Sequence, residues 1–271
     1  MGLGEAGADD DQNITALAVC VYQGKIYMFY RGVKADGVDA DGKPKYRNSL
    51  MYAVSEDGYE FKKQGTIDNS FSNTRATVVS ARTIGDRIYL TYTGWDSTGK
   101  SYGDCYLTYS EDGGASWAKG RRILRHNTDE RNPDWTSRVL DTFRMYDDGK
   151  YLYVFFGASY DSEKFDYPEG FGVARALLPT AWNPDSLMDE RNWEMYPYNP
   201  IMIRGASGSA DEGAVWSFTL FEHEGRLKCY YEGYGTGIYS LNDDLTVSQG
   251  VRATQYQYQR KKAFSHILLS S

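Results

Sequence analysis

The chain has 271 residues, a net charge of −7 and a pI near 5.1, and 41% of its residues are hydrophobic. An acidic chain lacks the basic face that binds a phosphate backbone, which argues against a nucleic-acid partner. No run of about 18 apolar residues occurs, so we expect no membrane-spanning helix. The 24 tyrosines and 28 glycines favour many strands joined by tight turns.

The N-terminal segment, residues 1–13, is acidic and rich in glycine. It contains neither the basic region nor the apolar region of a signal peptide. We therefore expect a cytoplasmic protein or the mature form of a secreted one. Three cysteines, Cys20, Cys105 and Cys229, each lie within an apolar stretch. We predict buried free thiols at these positions, which favours a reducing compartment.

One hairpin pattern occurs four times along the chain. Each copy has an apolar strand, a turn that contains glycine, and a second apolar or aromatic strand, which is a strong hairpin signal. The four copies are residues 14–32, 76–94, 140–158 and 215–233, with turn glycines at Gly24, Gly85, Gly149 and Gly225. We predict that these four turns superpose to within a residue or two.

Further strands follow each hairpin. In the first copy a polar loop at 33–47 precedes strands at 49–61 and 62–67, and the second copy continues with strands at 105–117 and 121–124. After a long insertion, the third copy has strands at 172–178 and 193–203, and the fourth has one at 237–247. A short helix is predicted at 185–192. Residues 253–259 alternate as a strand does, and a last apolar run follows at 263–269.

Repeats of four strands, each roughly 50 to 70 residues long, are typical of propeller blades. We predict an all-β fold, a five-bladed β-propeller of four-stranded antiparallel blades that forms a single domain over residues 1–271. Four blades would cover about 14–67, 75–125, 136–203 and 212–247. Residues 250–271 and the N-terminus would close the ring. The alternative is a β-sandwich, which does not require a repeated strand order.

Two turns carry a short motif. Residues 110–117, SEDGGASW, match the Asp-box pattern Ser-x-Asp-x-Gly-x-x-Trp, and residues 55–61, SEDGYEF, match it with Phe in place of Trp. In such a turn the Asp accepts backbone N–H groups, the Gly adopts a positive φ and the aromatic ring packs beneath the strands. The motif therefore indicates the fold and carries no information about catalysis.

These segments together resemble the five-bladed propeller glycoside hydrolases of the arabinanase, xylosidase and invertase type, and more loosely the six-bladed sialidases. Residues 140–158, LDTFRMYDDGKYLYVFFGA, resemble the Asp-Pro-x-x-Phe-x-Asp-Asp-Asp-Gly-Lys-x-Tyr-Leu segment of the five-bladed families. Thr142 replaces the proline, and the segment is one residue shorter. Residues 211–233, DEGAVWSFTLFEHEGRLKCYYEG, resemble their Glu-Gly-Pro/Ala segment. The resemblance covers most of residues 14–247 and implies a glycoside hydrolase that acts on an oligo- or polysaccharide.

The resemblance also implies three carboxylates in the order Asp, Asp, Glu around a central funnel: a base or nucleophile, a residue that tunes the acid, and the acid. Asp11, Asp141 and Glu212 are the candidates for these roles. Asp11 precedes Gly24 by 13 residues and Glu212 precedes Gly225 by the same 13, which predicts equal heights in their blades.

Each candidate carboxylate has an alternative. Asp9 or Asp10 could replace Asp11, which lies in a run of three acids of the kind found in solvated tails. Asp134 is the alternative to Asp141. Glu212 could be a solvated loop residue, and Asp141 could cap a turn or pair with an arginine, Arg138 or Arg144.

Sugar binding calls for aromatic platforms and side chains that hydrogen-bond hydroxyl groups. The candidates for substrate binding stand near the predicted strand ends, although most tryptophans in propellers belong to the core. They are Arg75, Trp95, Asp134, Trp135, Arg138 and Trp216. The second copy offers only Thr74 and Arg75 at the place where the other copies carry an acid.

We predict no metal and no cofactor. The three histidines, His126, His223 and His266, show no metal-ligand spacing, and no phosphate-binding, dinucleotide-binding or nucleophilic-serine motif occurs. A structural cation in the central channel beside His266 is the one alternative. We expect a carbohydrate partner, no nucleic acid and no membrane.

Two other functions stay open. The first is a non-catalytic carbohydrate-binding propeller, either a lectin or an inactive relative of the enzymes. The second is a sialidase-like hydrolase, for which the arginine cluster could come from Arg31, Arg75, Arg138 and Arg204.

Overall fold

A computed structural model describes residues 1–67, 77–94, 103–127, 131, 134–137, 139–159, 170–235, 239–241, 247–249 and 268–269. The chain divides into two compact units. The first consists of Met1–Arg125, Met145–Tyr153 and Ala176–Glu194, and the second of His126–Arg144, Val154–Arg175 and Met195–Ser271. Within the described ranges, none of the helices has the length and apolar character that crossing a membrane requires.

The first sheet is four-stranded and antiparallel, in the order β1-β2-β3-β4. Its strands are β1 (Asn13–Tyr22), β2 (Lys25–Val38), β3 (Pro44–Ser55) and β4 (Lys62–Thr66). The turn between β1 and β2 has two residues, Gln23 at φ 47° and Gly24 at φ 76°, which is the type I′ geometry that suits twisted strands. The first predicted hairpin is confirmed.

The polar loop predicted at 33–47 is wrong for most of its length. β2 and β3 continue to pair through this stretch, with Val33 opposite Asn48 and Ala35 opposite Tyr46. Only the residues around Asp39 form the turn, where the Asp39 carboxylate accepts the N–H groups of Asp41 and Lys43 at 2.9 and 2.8 Å. Cross-strand hydrogen bonds join backbone groups, so polar side chains do not prevent them.

The second sheet repeats the first, in the order β5-β6-β7-β8. Its strands are β5 (Thr77–Ile84), β6 (Arg87–Gly94), β7 (Asp104–Ser110) and β8 (Arg121–Leu124). Its first turn is Gly85-Asp86, with Gly85 at φ 60° in the first turn position. Gly24 occupies the second turn position, so the positions of the two glycines within their turns differ by one residue.

The core of the first unit lies between these two sheets. β1 and β5 supply small and aromatic side chains, and Phe29, Ile88 and Leu90 are almost completely buried. Burying side chains of this size stabilises the fold by roughly 1.5 to 3 kcal/mol each. Trp117 packs edge-on against Phe29, with ring centroids 5.7 Å apart.

The two turns with the Ser-x-Asp pattern have closely similar hydrogen bonds. Ser110 Oγ accepts the N–H of Gly114 at 2.8 Å, and Asp112 accepts the N–H of Ser116 at 2.8 Å. In the other turn, Ser55 Oγ accepts the N–H of Gly58 at 2.9 Å. These buried serines therefore close the turns, and the carboxylates of Asp57 and Asp112 accept backbone N–H groups within them.

The third sheet contains the Asp-Gly hairpin, in the order β12-β11-β10-β9 with β13 also paired to β11. Its strands are β9 (Val139–Asp147), β10 (Tyr151–Ser159), β11 (Gly170–Leu177), β12 (Glu194–Met195) and β13 (Met202–Ile203). The hairpin is confirmed, whereas the continuous strand predicted at 193–203 is wrong. The chain leaves the sheet between β12 and β13, where the Asn199 amide hydrogen-bonds both the N–H and the C=O of Val173 at 3.0 and 2.9 Å. Pro200 follows directly and has no N–H to donate to a ladder.

The helix predicted at 185–192 is also wrong. The segment forms two short 3-10 turns, Ser186–Met188 and Glu190–Asn192. Asp189 separates them in an extended conformation, and its side chain accepts the N–H of Arg191 at 3.0 Å. A short acidic side chain that hydrogen-bonds nearby backbone competes with the helix ladder.

The fourth sheet has the order β14-β15-β18. Its strands are β14 (Ala214–His223), β15 (Arg226–Tyr234) and β18 (Leu268–Leu269). The described ends of the strand predicted at 237–247 do not join this sheet but form β16 (Tyr239–Leu241) and β17 (Val247–Gln249), which pair with each other. β18 takes the third place, because Tyr230 lies opposite Leu269. Residues 253–259 lie outside the described part.

All three cysteines are free, as predicted. Cys20 and Cys105 are buried, whereas Cys229 is only partly buried, so the prediction of burial is wrong for that residue. Burial raises the pKa of the Cys20 and Cys229 thiols to about 11 and raises the pKa of Cys105 well above its usual value. All three are therefore protonated at neutral pH.

Candidate active site

Two loops with the same construction carry the candidate carboxylates Asp11 and Glu212. We call residues 4–12 the first carboxylate loop and residues 205–213 the second carboxylate loop. Equivalent positions are 201 residues apart, from Gly4 to Gly205 just as from Gly24 to Gly225. Each loop leads directly into the first strand of its sheet, β1 or β14.

The backbone hydrogen bonds of the two loops correspond one to one. In the first loop, the N–H of Gly4 donates to the carbonyl of Asp10 at 3.3 Å, and the N–H of Gln12 donates to Val33 at 3.0 Å. In the second loop, Gly205 donates to Asp211 at 3.1 Å and Gly213 to Tyr234 at 2.7 Å. This agreement shows that the sequence repeat extends beyond the strands.

Asp11 and Glu212 are held in the same way. Asp11 Oδ2 accepts the N–H of Gly7 at 2.8 Å, and Glu212 Oε2 accepts the N–H of Gly208. Gly7 and Gly208 have φ values of 91° and 94°, a conformation that favours glycine. Both residues are only partly buried, although Asp11 Oδ1 is itself buried and accepts no hydrogen bond within the described part of the chain.

The surroundings of the first loop favour a charged Asp11. The backbone N–H of Gly7 is the main cause that holds the pKa of the Asp11 carboxyl below its usual value, and the positive charge of Lys34 contributes. Lys34 also lies 3.8 Å from Asp9, which pairs with Arg47 at 2.6 Å. Asp9 is therefore engaged in ion pairs at the loop surface.

The acids that precede Asp11 and Glu212 point into the protein. Asp10 is 1% exposed and Asp211 is 9% exposed. Asp10 Oδ2 accepts the Tyr30 hydroxyl at 3.2 Å and lies 2.6 Å from Lys63 Nζ. Asp10, which the sequence left as an alternative to Asp11, is thus a buried anchor of the loop.

The second loop lies beside aromatic side chains. Trp216, on β14, is partly exposed, and its ring centroid lies 5.9 Å from that of Tyr234. Tyr234 also accepts the N–H of Gly213 through its carbonyl. Of the tryptophans proposed for sugar binding, Trp216 therefore stands on the strand that directly follows a candidate carboxylate.

Asp141 lies on β9 in an unusual backbone environment. Its Oδ1 accepts the N–H of the next residue, Thr142, at 2.7 Å. Thr142 is buried and has a φ of 55°, which a β-branched residue rarely adopts. Burial lowers the pKa of nearby Arg144, and the negative charge of Asp141 opposes that shift.

The backbone at Thr142 explains the missing proline. Proline fixes φ near −65°, so it cannot adopt the angle that Thr142 has. We predict that Thr142→Pro destabilises the protein by more than about 1 kcal/mol, because it also removes the N–H that Asp141 accepts. Urea unfolding of the variant measures this loss.

The matched control is Thr142→Gly, because glycine accepts a positive φ and keeps the N–H. Its free energy of unfolding should stay within about 1 kcal/mol of that of the wild type. A proline variant as stable as the glycine variant would show that residue 142 adopts the Asp-Pro conformation of the five-bladed families.

Two other candidate residues have structural partners. Asp134 Oδ1 accepts both the N–H and the hydroxyl of Thr136, at 2.7 and 2.6 Å, and so caps a turn. The Trp135 ring stacks on Phe156, with centroids 5.7 Å apart. Gly172 leaves room for this stack, because a Cβ there would lie 2.6 Å from the Trp135 ring.

Several candidates lie outside the described residues. These are Thr74, Arg75, Trp95, Arg138 and His266. Of the arginines considered for a sialidase-like cluster, Arg31 donates to Thr15 Oγ1 at 2.8 Å. Within the described ranges, no cluster of three or more His, Cys, Asp or Glu residues is arranged to hold a metal ion.

The first unit also has a cleft of about 660 Å³ between β8 and the two 3-10 turns. Several of its charged side chains form ion pairs. Arg122 lies 3.3 Å from Asp104 and 3.2 Å from Glu190, and Arg191 lies 2.6 Å from Asp189. None of the candidate carboxylates lines this cleft.

No protein-family model matches the sequence, and a comparison with curated proteins likewise finds no match. Solved structures do match. A family 117 glycoside hydrolase of the marine bacterium Zobellia galactanivorans is similar over 92% of this chain and 73% of its own, with 16% identity and a TM-score of 0.60. An α-L-arabinofuranosidase from Lactobacillus brevis is similar over 94% of this chain and 82% of its own, with 13% identity and a TM-score of 0.60.

The fold is that of the β-propeller glycoside hydrolases. The resemblance inferred from sequence is therefore confirmed at the level of the fold. In this chain the sheet of β1 to β4 and the sheet of β5 to β8 are each four-stranded and antiparallel. The number of five blades and the single domain remain predictions.

The role of Asp10 and Asp211 as buried anchors of the loops was not predicted from the sequence. Asp10 and Asp211 follow the shared pattern Gly-x-x-Gly-x-x-Asp-Asp/Glu, which begins at Gly4 and at Gly205. The equal spacing of 13 residues to the turn glycine already related the two loops. Extending that comparison to the glycines would have identified the anchors.

Proposed function

We propose that the protein is a glycosidase that hydrolyses an oligo- or polysaccharide, with Glu212 as the general acid and Asp11 as the base or nucleophile. Asp141 would tune the acid. The observation that supports this proposal is the shared construction of the two carboxylate loops. Glycoside hydrolysis requires two carboxyl groups with different roles, and the two loops present one carboxyl group each.

The chemistry divides the roles between the two residues. Glu212 would donate a proton to the glycosidic oxygen as the bond to the anomeric carbon breaks. Asp11 would either take a proton from the attacking water or attack the anomeric carbon itself. A base or nucleophile must be ionised, and the Gly7 N–H and Lys34 favour the ionised form of Asp11.

The carbohydrate would be recognised through its C–H faces and hydroxyl groups. Trp216 is partly exposed beside the second carboxylate loop, which suits a platform for a sugar ring. Trp135 is stacked on Phe156, so we assign it a packing role. Arg75, Trp95 and Arg138 remain proposed binding residues.

A second candidate function is carbohydrate binding without hydrolysis. The observation in its favour is the backbone at Thr142, which departs from the Asp-Pro segment of the related enzymes. If the Asp141 carboxylate is therefore oriented differently from the corresponding carboxylate of those enzymes, the set of three carboxylates is incomplete. The protein would then be a lectin or an inactive relative.

The experiment that separates these functions is a glycan panel. Purified protein is incubated with plant, algal and fungal oligo- and polysaccharides, and the released sugars are measured by chromatography. A glycosidase releases sugar from at least one glycan, and the Glu212→Gln variant does not. Binding of a glycan without release by the wild type would establish the second function.

The pH dependence tests the role of Asp11. Because its pKa is held below the usual value of about 4, Asp11 stays ionised over the ordinary assay range. We predict that kcat/KM does not fall with a pKa assignable to Asp11 until the pH is below about 4. Lys34→Met should move this fall in kcat/KM to higher pH, because it removes the positive charge that favours the ionised form of Asp11.

The contribution of Asp11 to folding stability should also be lost only at low pH. A carboxyl group whose pKa is lower in the folded state contributes stability above its unfolded pKa, and that contribution is lost as the pH falls through the folded pKa. The Asp11 contribution should therefore disappear only below about pH 4. A loss of stability near neutral pH on acidification that persists in Asp11→Asn would belong to another group.

A further inference from the structure

Each carboxylate loop contains a buried acid that the proposed reaction does not use. Asp10 and Asp211 stand directly before Asp11 and Glu212. Asp10 Oδ2 accepts the hydroxyl of Tyr30 at 3.2 Å, and Asp211 Oδ2 accepts the hydroxyl of Tyr231 at 2.9 Å. The two tyrosines are also 201 residues apart.

The surrounding residues are built to receive these acids. Gly4 and Gly205 pack so closely on them that an added Cβ would lie 2.2 and 2.1 Å from Asp10 Oδ1 and Asp211 Oδ1. The carbonyl groups of Asp10 and Asp211 accept the N–H groups of the same two glycines. Side chain and backbone of each acid are thus both fixed.

We infer that Asp10–Tyr30 and Asp211–Tyr231 are positioning pairs that set the direction in which Asp11 and Glu212 project from their loops. The inference rests on the proposed function, because it assigns Asp11 and Glu212 to the reaction. Asp10, Tyr30, Asp211 and Tyr231 act through their neighbours.

The physical reason is the cost of burying an acid without a partner. A buried carboxylate that loses a hydrogen bond is disfavoured, so each loop is most stable when its buried acid accepts the tyrosine hydroxyl. Burial and the adjacent carboxylate raise the pKa of both tyrosines, which keeps their hydroxyl groups protonated as donors. The next residue then leaves the backbone in a fixed direction, as catalytic geometry requires.

The two pairs differ in their other partners. Asp10 also lies 2.6 Å from Lys63 Nζ, whereas Asp211 accepts the Ser209 hydroxyl at 2.8 Å. An ion pair holds Asp10 when the Tyr30 hydroxyl is removed. Asp211 depends more on its tyrosine. Loss of the hydroxyl should therefore have the larger effect in the second loop.

The kinetic test is Tyr231→Phe, which keeps the ring and removes the hydroxyl. We expect kcat to fall about 10-fold with KM unchanged, and Tyr30→Phe to lower kcat about 3-fold. Combined with Glu212→Gln, Tyr231→Phe should cause no further loss, because it acts through Glu212. A full, additive loss in the double variant would overturn the inference.

Tyr22→Phe is the matched control. Tyr22 is a buried tyrosine whose hydroxyl donates to the carbonyl of Glu111 at 3.0 Å, and it stands at the end of β1 away from the first carboxylate loop. This variant should lower thermal stability in a similar way while kcat stays that of the wild type. Equal losses of kcat in Tyr22→Phe and Tyr231→Phe would mean that only general stability matters.

A second measurement does not depend on activity. The amide of Gly208 donates to Glu212 and that of Gly7 to Asp11, so NMR hydrogen exchange of these amides reports the loop geometry. Tyr231→Phe should speed exchange of Gly208 about 10-fold, and Tyr30→Phe should speed that of Gly7 less. The nearby charges of Asp9, Lys34, Arg47 and Lys63 are unchanged in these variants.

The two measurements separate two kinds of failure. Unchanged exchange of Gly208 in Tyr231→Phe overturns the positioning role, whether or not the protein hydrolyses a glycan. Faster exchange of Gly208 in Tyr231→Phe, together with a wild-type protein that releases no sugar, would have two consequences. It would support the role of the pairs in positioning the loops, and it would refute the proposed hydrolysis.

Discussion

Replacing Glu212 with glutamine is expected to reduce glycan hydrolysis by about 10²-fold or more. Glutamine keeps the size of the side chain and can still accept the Gly208 N–H through its amide oxygen. It cannot deliver a proton to the leaving glycosidic oxygen. Because Glu212 is only partly buried, the substitution should leave the folded structure and the affinity for glycan nearly unchanged.

Hydrolysis and binding should be measured separately for this variant. Released sugar gives the turnover, and isothermal titration with the same glycan gives the affinity. A matched control is Glu222→Gln, an exposed acid on β14, the strand that follows the loop of Glu212, where it lies opposite Leu227. Equal hydrolysis by Glu212→Gln and wild type would remove Glu212 from the mechanism, and a comparable loss in Glu222→Gln would point to a general effect of charge.

The loss of hydrolysis in Glu212→Gln should depend on the leaving group of the substrate. A glycoside with an activated phenol as leaving group needs little protonation, so Glu212→Gln should affect it much less than a natural glycan. A loss of the same size on both substrates would indicate that Glu212 does not act as the acid. NMR of the first product anomer would then assign Asp11 as base or nucleophile, since inversion and retention require different steps.

The hairpins were predictable because their signals are local. Turn residues such as Gly24 and Gly225 require a positive φ, and apolar alternation on each side defines the strands. The outer strands were less predictable, because pairing there depends on partners far along the chain. β18 replaces the expected strand at 237–247 beside Tyr230, and no local pattern distinguishes these two segments.

The site was predictable only in part for a related reason. The spacing from Asp11 and Glu212 to their turn glycines follows from the repeat, so their equivalence could be inferred from sequence. Which acid of the run turns inward depends on contacts with distant residues such as Tyr30 and Lys63. The conformation of Thr142 also could not be predicted, because a β-branched residue disfavours a positive φ.

Substituting Gly233 with alanine is expected to destabilise the protein by about 1 to 3 kcal/mol. A Cβ at this position would lie 2.8 Å from Asp211 Cβ and 3.3 Å from Asp211 Cα. The obstacle is the Cβ and the backbone of Asp211 rather than the end of a flexible side chain, so it cannot move away at little cost. Relief requires a shift of the second carboxylate loop, which should also lower any hydrolysis that depends on Glu212.

Urea unfolding and the hydrolysis assay of the same variant test this prediction together. Gly225→Ala is the control, because a Cβ there meets open space and only the positive φ of 69° is strained. That variant should lose about 1 kcal/mol and keep its kcat, since the turn lies at the far end of β14 from the loop. The equivalent change in the first loop, Gly32→Ala, would bring a Cβ within 2.9 Å of Asp10 Cβ and should behave like Gly233→Ala. Wild-type stability in both Gly32→Ala and Gly233→Ala would refute the close packing of the buried acids against β2 and β15.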